Sequence, residues 1–326
     1  MRYIRQIVLK EIGKKGQEIL RKKTISIVGV GGLGSVSAEL LVRSGIGRII
    51  LIDHDSIEIT NLQRQSLYSE KDIGERKVFA AKKRLSEINN EVEIIAQDTI
   101  LTNKNIDIIH SDLVLDCTDN MATRYLINNY CSKHKIPWIH ASAIRTIGNI
   151  KVFIPEKECF ECIYQNNKEV ESCEENGILN MTVFGISSIQ AIQAIKLLIG
   201  VSFEKKLLRL DVWNNTITKI SVKKRKNCDN CNGNFFFLKE KKDDFIIKYC
   251  SNKGCYETNN NVLLDIKKIS KKFKLIKDGG IIKKILVEGQ IITVYETGKL
   301  VFQDLKNTDK IKEIARKIYK VGMILK

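Results

Sequence analysis

The segment Thr24-Ile-Ser-Ile-Val28 runs without a spacer into Gly29-Val-Gly31-Gly32-Leu-Gly34-Ser35, and then into the helical spacing of Ala38, Leu40, Leu41 and Val42. A short apolar, partly β-branched run, a glycine-dense turn and an amphipathic repeat read as strand, turn and helix. Glycine allows the tight turn and lets backbone N–H groups approach a phosphate at the positive end of the helix. A second strand, Arg48-Ile-Ile-Leu-Ile-Asp53, ends in an acid 19 positions after Gly34, where a carboxylate reaches a ribose hydroxyl. The first half of the chain is therefore expected to bind a nucleotide.

Further strands are expected at 92–97, 113–117 and 137–140, alternating with helices at 77–87 and 121–133. This alternation predicts an α/β fold, a Rossmann-like doubly wound, mostly parallel sheet. Ligands of such sheets bind beyond the carboxyl ends of the strands, so Gly29, Asp53 and the Asp116-Cys-Thr-Asp119-Asn120 turn should converge on one crevice. A dehydrogenase would share that position, but the residues after the second strand speak against it. Arg64 and Lys77 follow Asp53 and Asp55, with Asn61 and Gln63 between. Fixed cations and amides suit a nucleotide that loses pyrophosphate, because they stabilise the charge growing on the leaving group. Asp119 is then the natural Mg(II) ligand.

Nine cysteines in a chain with no apolar leader at Met1-Arg-Tyr-Ile-Arg5 argue for metal or thiol chemistry over disulfides. Cys159-Phe-Glu-Cys162 and Cys228-Asp-Asn-Cys231 each set two thiolates on one turn, and together they supply the four soft ligands of a closed Zn(II) site. The pairs are 65 residues apart, so the fold must close the gap. Cys117 and Cys131 read as packing residues, and Cys250 and Cys255 as unpaired thiols.

The net charge is +17, but residues 1–200 carry 26 Lys or Arg against 24 Asp or Glu, and residues 201–326 carry 29 against 14. The excess thus belongs to the last third, where abundant Lys, Ile and Asn match the output of an AT-rich genome without selection for binding. Apolar stretches such as 186–200 are interrupted by Gln190, Gln193 and Lys196, so no membrane span is expected. The expectation is a cytoplasmic protein.

Taken in order, Gly29-x-Gly-Gly-x-Gly34-Ser35, Asp53-x-Asp55, Asn61-Leu-Gln-Arg64-Gln65, Lys77, Asp116-Cys-Thr-Asp-Asn120 and the paired C-x-x-C resemble the ThiF/MoeB/HesA family, relatives of ubiquitin-activating enzymes. The resemblance covers about residues 1–231. It implies ATP- and Mg(II)-dependent adenylation of the C-terminal glycine of a ubiquitin-fold carrier ending in Gly-Gly, in a homodimer, with a sulfur donor as a further partner. Carried over, it places Gly29, Gly31, Gly32 and Gly34 at the phosphates and Asp53 on the ribose. Asn61, Arg64 and Lys77 fall on the triphosphate and Asp119 on the metal, with Asp55, Gln63 and Asn120 also among the nucleotide-binding residues. Arg5 in Arg2-Tyr-Ile-Arg5-Gln6 would reach into the partner subunit's site. Cys173, in the polar stretch 163–180, matches a cysteine that in some relatives bonds the carrier or its sulfur and in others is dispensable; the flanking glutamates are expected to raise its pKa and discourage the thiolate. That stretch lacks the family's usual prolines.

Residues 1–234 are thus expected to form an adenylation domain and 235–326 a small basic α+β appendage. Within the appendage a strand is expected at 245–249, a helix at 262–273, two or three strands over 281–302 and a helix at 309–319. Two other readings stay open: a tRNA-modifying ATP-dependent dehydratase of the same superfamily, and a zinc-containing nucleic-acid-binding module using the basic tail.

Overall fold

The carboxyl ends of five parallel strands set the geometry of the first unit. The computed structural model describes residues 2–164, 177–239, 246–250, 255–259, 263–280 and 282–322. The chain divides into two units, Met1–Glu240 and Lys241–Lys326. Two short helices, α1 (Ile4–Ile7) and α2 (Gly13–Leu20), precede β1 (Thr24–Val28), α3 (Gly32–Arg43), β2 (Arg48–Asp53), α4 (Lys77–Ile88), β3 (Glu93–Asp98), β4 (Leu113–Asp116), α5 (Met121–His134) and β5 (Trp138–Ile144). Then come β6 (Ile147–Phe153), α6 (Phe160–Ile163), α7 (Asn180–Leu198), β7 (Leu207–Asp211) and β8 (Thr216–Ile220).

Among the described residues these strands form one eight-stranded sheet in the order β3-β2-β1-β4-β5-β6-β7-β8. The first five are parallel and the last three are added antiparallel. The connections reverse direction between β1 and β4, which opens the ligand crevice there. Ile25, Ile27, Ile49 and Leu51 pack on one face, and Val28, Ile50 and Ile52 on the other. This period-two division of apolar runs buries both faces, as a parallel sheet demands.

One expectation changes, and one helix bears on another. Strand β6 was not foreseen; it folds back on β5 through a turn in which Arg145 takes φ +53°. Also, α7 is long and apolar enough, by length and composition alone, to cross a membrane. Half of it is instead buried in the protein, and its polar side chains are tied inward. Ser187 donates to Leu33 O, Gln190 donates to the carbonyls of Asp116 and Ile139, and Gln193 accepts from Glu204 N–H. A side chain bonded to strand carbonyls identifies α7 as the core helix of this sheet.

The second unit contains β9 (Ile246–Cys250), β10 (Cys255–Asn259), α8 (Ile266–Lys272), β11 (Lys274–Asp278), β12 (Ile282–Val287), β13 (Gln290–Tyr295), β14 (Lys299–Phe302) and α9 (Thr308–Gly322). Its described strands form an antiparallel sheet ordered β11-β12-β13-β14-β10-β9, with β10 and β11 added to the expected strands. Helix α9 buries Ile311, Ile314, Ala315, Ile318 and Tyr319, the i, i+3, i+4, i+7, i+8 stripe of a helix laid on a core.

Candidate functional site

The turn after β1 is built around two glycines. Gly29 has φ +87°, and a Cβ there would lie 2.8 Å from Cys117 O; a Cβ on Gly34 would fall 1.9 Å from Gly29 O. No side chain fits either place, so the turn closes on itself and on the loop after β4. Asp53, at the end of β2, locks it: Oδ2 accepts Val30 N–H at 2.6 Å and Oδ1 accepts Asp55 N–H at 2.8 Å. Gly31 and Gly32 lie between these anchors, at the N-terminus of α3, where the first N–H groups have no partner inside the helix. The buried Tyr68 hydroxyl donates to Val30 O at 2.8 Å. Burial and the Asp53 and Asp55 charges push that hydroxyl well above its ordinary pKa, so it stays a neutral donor.

Lys77 opens α4 and is 6% exposed, with Nζ 3.0 Å from Asp55 Oδ2. Its stem is buried and its charge is brought to the rim of the crevice by Asp55. Arg64 packs near Gly32 and donates from Nη1 to Thr60 O at 2.8 Å. Gln63 donates to Ile178 O at 3.3 Å. Asn61 and Asn120 have local duties that the sequence did not reveal. Asn61 Oδ1 accepts Glu58 N–H at 3.1 Å, and Asn120 caps α5 by accepting Thr123 N–H at 2.8 Å. Asp119 is exposed in the loop between β4 and α5, and Arg5 is exposed on α1. The glycine turn, Asp53, Asp55, Lys77, Arg64 and the 117–118 backbone thus come together, whereas Cys173 lies outside the described residues.

Below the loop lies a buried polar group absent from the sequence reading. Asp116 is fully buried, with Oδ2 2.7 Å from His140 Nδ1 and 3.6 Å from Arg124 Nε. Its Oδ1 accepts from the Thr118 N–H at 3.0 Å and hydroxyl at 2.7 Å, and Arg124 donates to Thr118 O. Burial alone would raise the Asp116 carboxyl; the His140 hydrogen bond and the Arg124 charge outweigh it and hold the carboxyl below its ordinary range. Burial lowers His140, so a neutral imidazole donates Nδ1–H to a carboxylate that can only accept. The group fixes the backbone that carries Asp119. The sequence signal was an acid on an otherwise apolar strand and a histidine within the next one.

The second cluster is thiol. Cys159, Cys162, Cys228 and Cys231 meet with Sγ–Sγ distances of 3.5 Å (Cys159–Cys228), 3.5 Å (Cys162–Cys231), 3.4 Å (Cys159–Cys231) and 3.9 Å (Cys159–Cys162). A tetrahedron with Zn–S bonds of about 2.3 Å has edges of about 3.8 Å, so the four sulfurs fit Zn(II). Arg225 N–H donates to Cys162 Sγ at 3.4 Å. Burial and the three neighbouring thiols push the Cys159 thiol far up, a cost that a bound cation removes. Strands β6, β7 and β8 close the 65-residue gap by running antiparallel side by side. Cys117 and Cys131 are buried packing residues.

Residues 3–232 match the ThiF family. The adenylyltransferase and sulfurtransferase MOCS3 of Aedes aegypti is 37% identical over 242 residues, covering 72% of this chain and 55% of the relative. The chain therefore spans about half the length of that relative. The sulfur carrier protein ThiS adenylyltransferase of Escherichia coli (strain K12) is 36% identical over 239 residues, covering 72% of this chain and 95% of the relative. Among solved structures, Escherichia coli MccB with ATP superposes with a TM-score of 0.61 at 25% identity, covering 67% of this chain and 68% of that one.

Proposed function

The chain belongs to the ThiF family, and from that premise we propose that it is an adenylyltransferase that uses ATP and Mg(II) to activate the C-terminal glycine of a ubiquitin-fold carrier ending in Gly-Gly. The product is an acyl adenylate, ready for sulfur transfer or conjugation. One observation carries the reading: Lys77, almost wholly buried, is held 3.0 Å from Asp55 beside a glycine turn locked by Asp53. A desolvated cation next to unpartnered helix N–H groups suits a polyphosphate.

In this reading the turn of Gly29, Gly31, Gly32 and Gly34 wraps the phosphates; the Gly29 N–H is donated to Ile52 O at 2.8 Å, so the backbone N–H groups from Gly31 onward make the contacts. Each Asp53 oxygen keeps a second lone pair for a ribose hydroxyl. Lys77, Arg64, Asn61 and Gln63 neutralise and orient the triphosphate, and Asn120 keeps Asp119 at the mouth of α5. Asp119 would hold Mg(II), which when bound would supply further charge neutralisation on the phosphates. The carrier's carboxylate needs only to be aligned in line with the α-phosphorus, so positioning and electrostatics make up most of the catalysis.

Arg5 serves the neighbouring site of a homodimer. Residues 1–234 work as the adenylation domain and 235–326 as an appended basic domain. Cys159, Cys162, Cys228 and Cys231 hold Zn(II) as a closed structural site. Cys173 acts after adenylation, in sulfur transfer, and the protein is cytoplasmic.

Intact-mass spectrometry tests the product. A Gly-Gly-ended carrier incubated with the protein, ATP and Mg(II) should gain one adenylyl group, and a carrier truncated by its last glycine should not. A carrier left unmodified while ATP is bound contradicts the proposal.

A further inference from the structure

The far end of α7 carries a second cavity. Helix α7 starts beside Arg145, which bridges to Ile178 near the crevice, and Leu197 lies 17 residues further along, about 25 Å at 1.5 Å per residue. There Val152, Ile154, Leu197, Phe203 and Val222 wall a cavity of about 560 Å³, within the roughly 300–1,000 Å³ range of small-molecule sites. Four lysines and one glutamate also line it.

Lys151 is the organising residue. Its side chain is 2% exposed, and Nζ donates to Glu158 Oε1 at 2.7 Å, Lys205 O at 2.6 Å and Val152 O at 3.0 Å. An ammonium has three hydrogens, and all three are used. The deep end therefore offers a ligand only apolar contact, while Lys151 ties β6, the segment before Cys159 and the segment before β7 into one wall. Glu158 is neutralised by the same contact. Lys157, Lys205 and Lys206 are exposed and, among the described residues, give this rim a net positive charge.

We propose that this cavity binds a small amphiphilic carboxylate, its hydrocarbon part against Val152, Leu197 and Phe203 and its head at the Lys205 and Lys206 side. The lysines are mobile point charges without the fixed fork of an arginine, so they suit a simple anionic head on a chain of variable length. The site is independent of the nucleotide crevice and of the proposed reaction.

Isothermal titration of the full-length protein with decanoate below its micellar concentration, and with decanol as the uncharged match, tests this. Decanoate should bind saturably, one per chain, and at least tenfold more tightly than decanol. Leu197→Trp should fill the cavity and remove binding of both, with an unchanged melting curve as the folding control. The surface pair Lys205→Glu with Lys206→Glu should keep decanol binding and remove the preference for decanoate, an answer that stands even if the tryptophan variant melts early. Non-saturable uptake, equal affinity for the two probes, or a decanoate preference unchanged in the charge-reversed protein would overturn the proposal.

Discussion

Asp116 Oδ2 lies 2.7 Å from His140 Nδ1 with neither side chain in contact with solvent. Arg124, 9% exposed, completes the group. Asp116→Asn keeps the volume and removes the charge, leaving Arg124 uncompensated. Breaking a buried ion pair from one side costs about 3–5 kcal/mol, so urea unfolding should show a loss of that size. A loss under about 1 kcal/mol would show that water reaches Arg124.

The same pair makes stability pH-dependent in a definite direction. Burial holds folded His140 below its ordinary 6.5, so under that pH the unfolded chain takes up a proton that the folded chain refuses. The stabilisation is present above about pH 6.5 and is lost as pH falls below it, by at most about 1.4 kcal/mol per unit. Depressed Asp116 acts in the same sense lower down, below its ordinary 3.8. His140→Asn, which can still donate to Asp116, should flatten the loss between pH 6.5 and 5 relative to the parent protein in matched unfolding curves.

Gly34→Ala places a methyl group 1.9 Å from Gly29 O, a backbone atom with nowhere to retreat. The glycine turn must open, and ATP affinity measured by titration should fall at least tenfold. Alanine at Gly74, which has open space around it but φ +91°, should cost about 1 kcal/mol of stability and leave ATP affinity intact.

The four sulfurs predict one zinc per chain by elemental analysis. Chelation, or Cys228→Ser, should remove the metal and lower the melting temperature, because the cluster joins the β5–β6 side of the sheet to the segment after β8. Unchanged melting after complete zinc loss would assign the stability to the surrounding aromatic packing of Phe160.

What could be read in the sequence was local. The glycine turn, the strand-end Asp53 and the C-x-x-C pairs each advertise themselves within a few residues. Strand β6 did not, because Lys151 sits in its middle and reads as a surface residue; its three acceptors come from the next residue, Glu158 and the distant Lys205 carbonyl. The Asp116–His140 pair is likewise made across neighbouring strands, 24 positions apart. Asp53 carried a ribose expectation, yet its first duty is to bind two backbone N–H groups, a contact visible only when β1 and β2 stand side by side.

ATP–pyrophosphate exchange addresses the central claim most directly. With a Gly-Gly-ended carrier present, the protein should exchange labelled pyrophosphate into ATP. Lys77→Ala or Asp119→Ala should lower the rate at least a hundredfold, while Cys173→Ala leaves it unchanged. Exchange that persists undiminished in the Lys77 and Asp119 variants, or that fails with every Gly-Gly-ended carrier although ATP binds, would contradict the account.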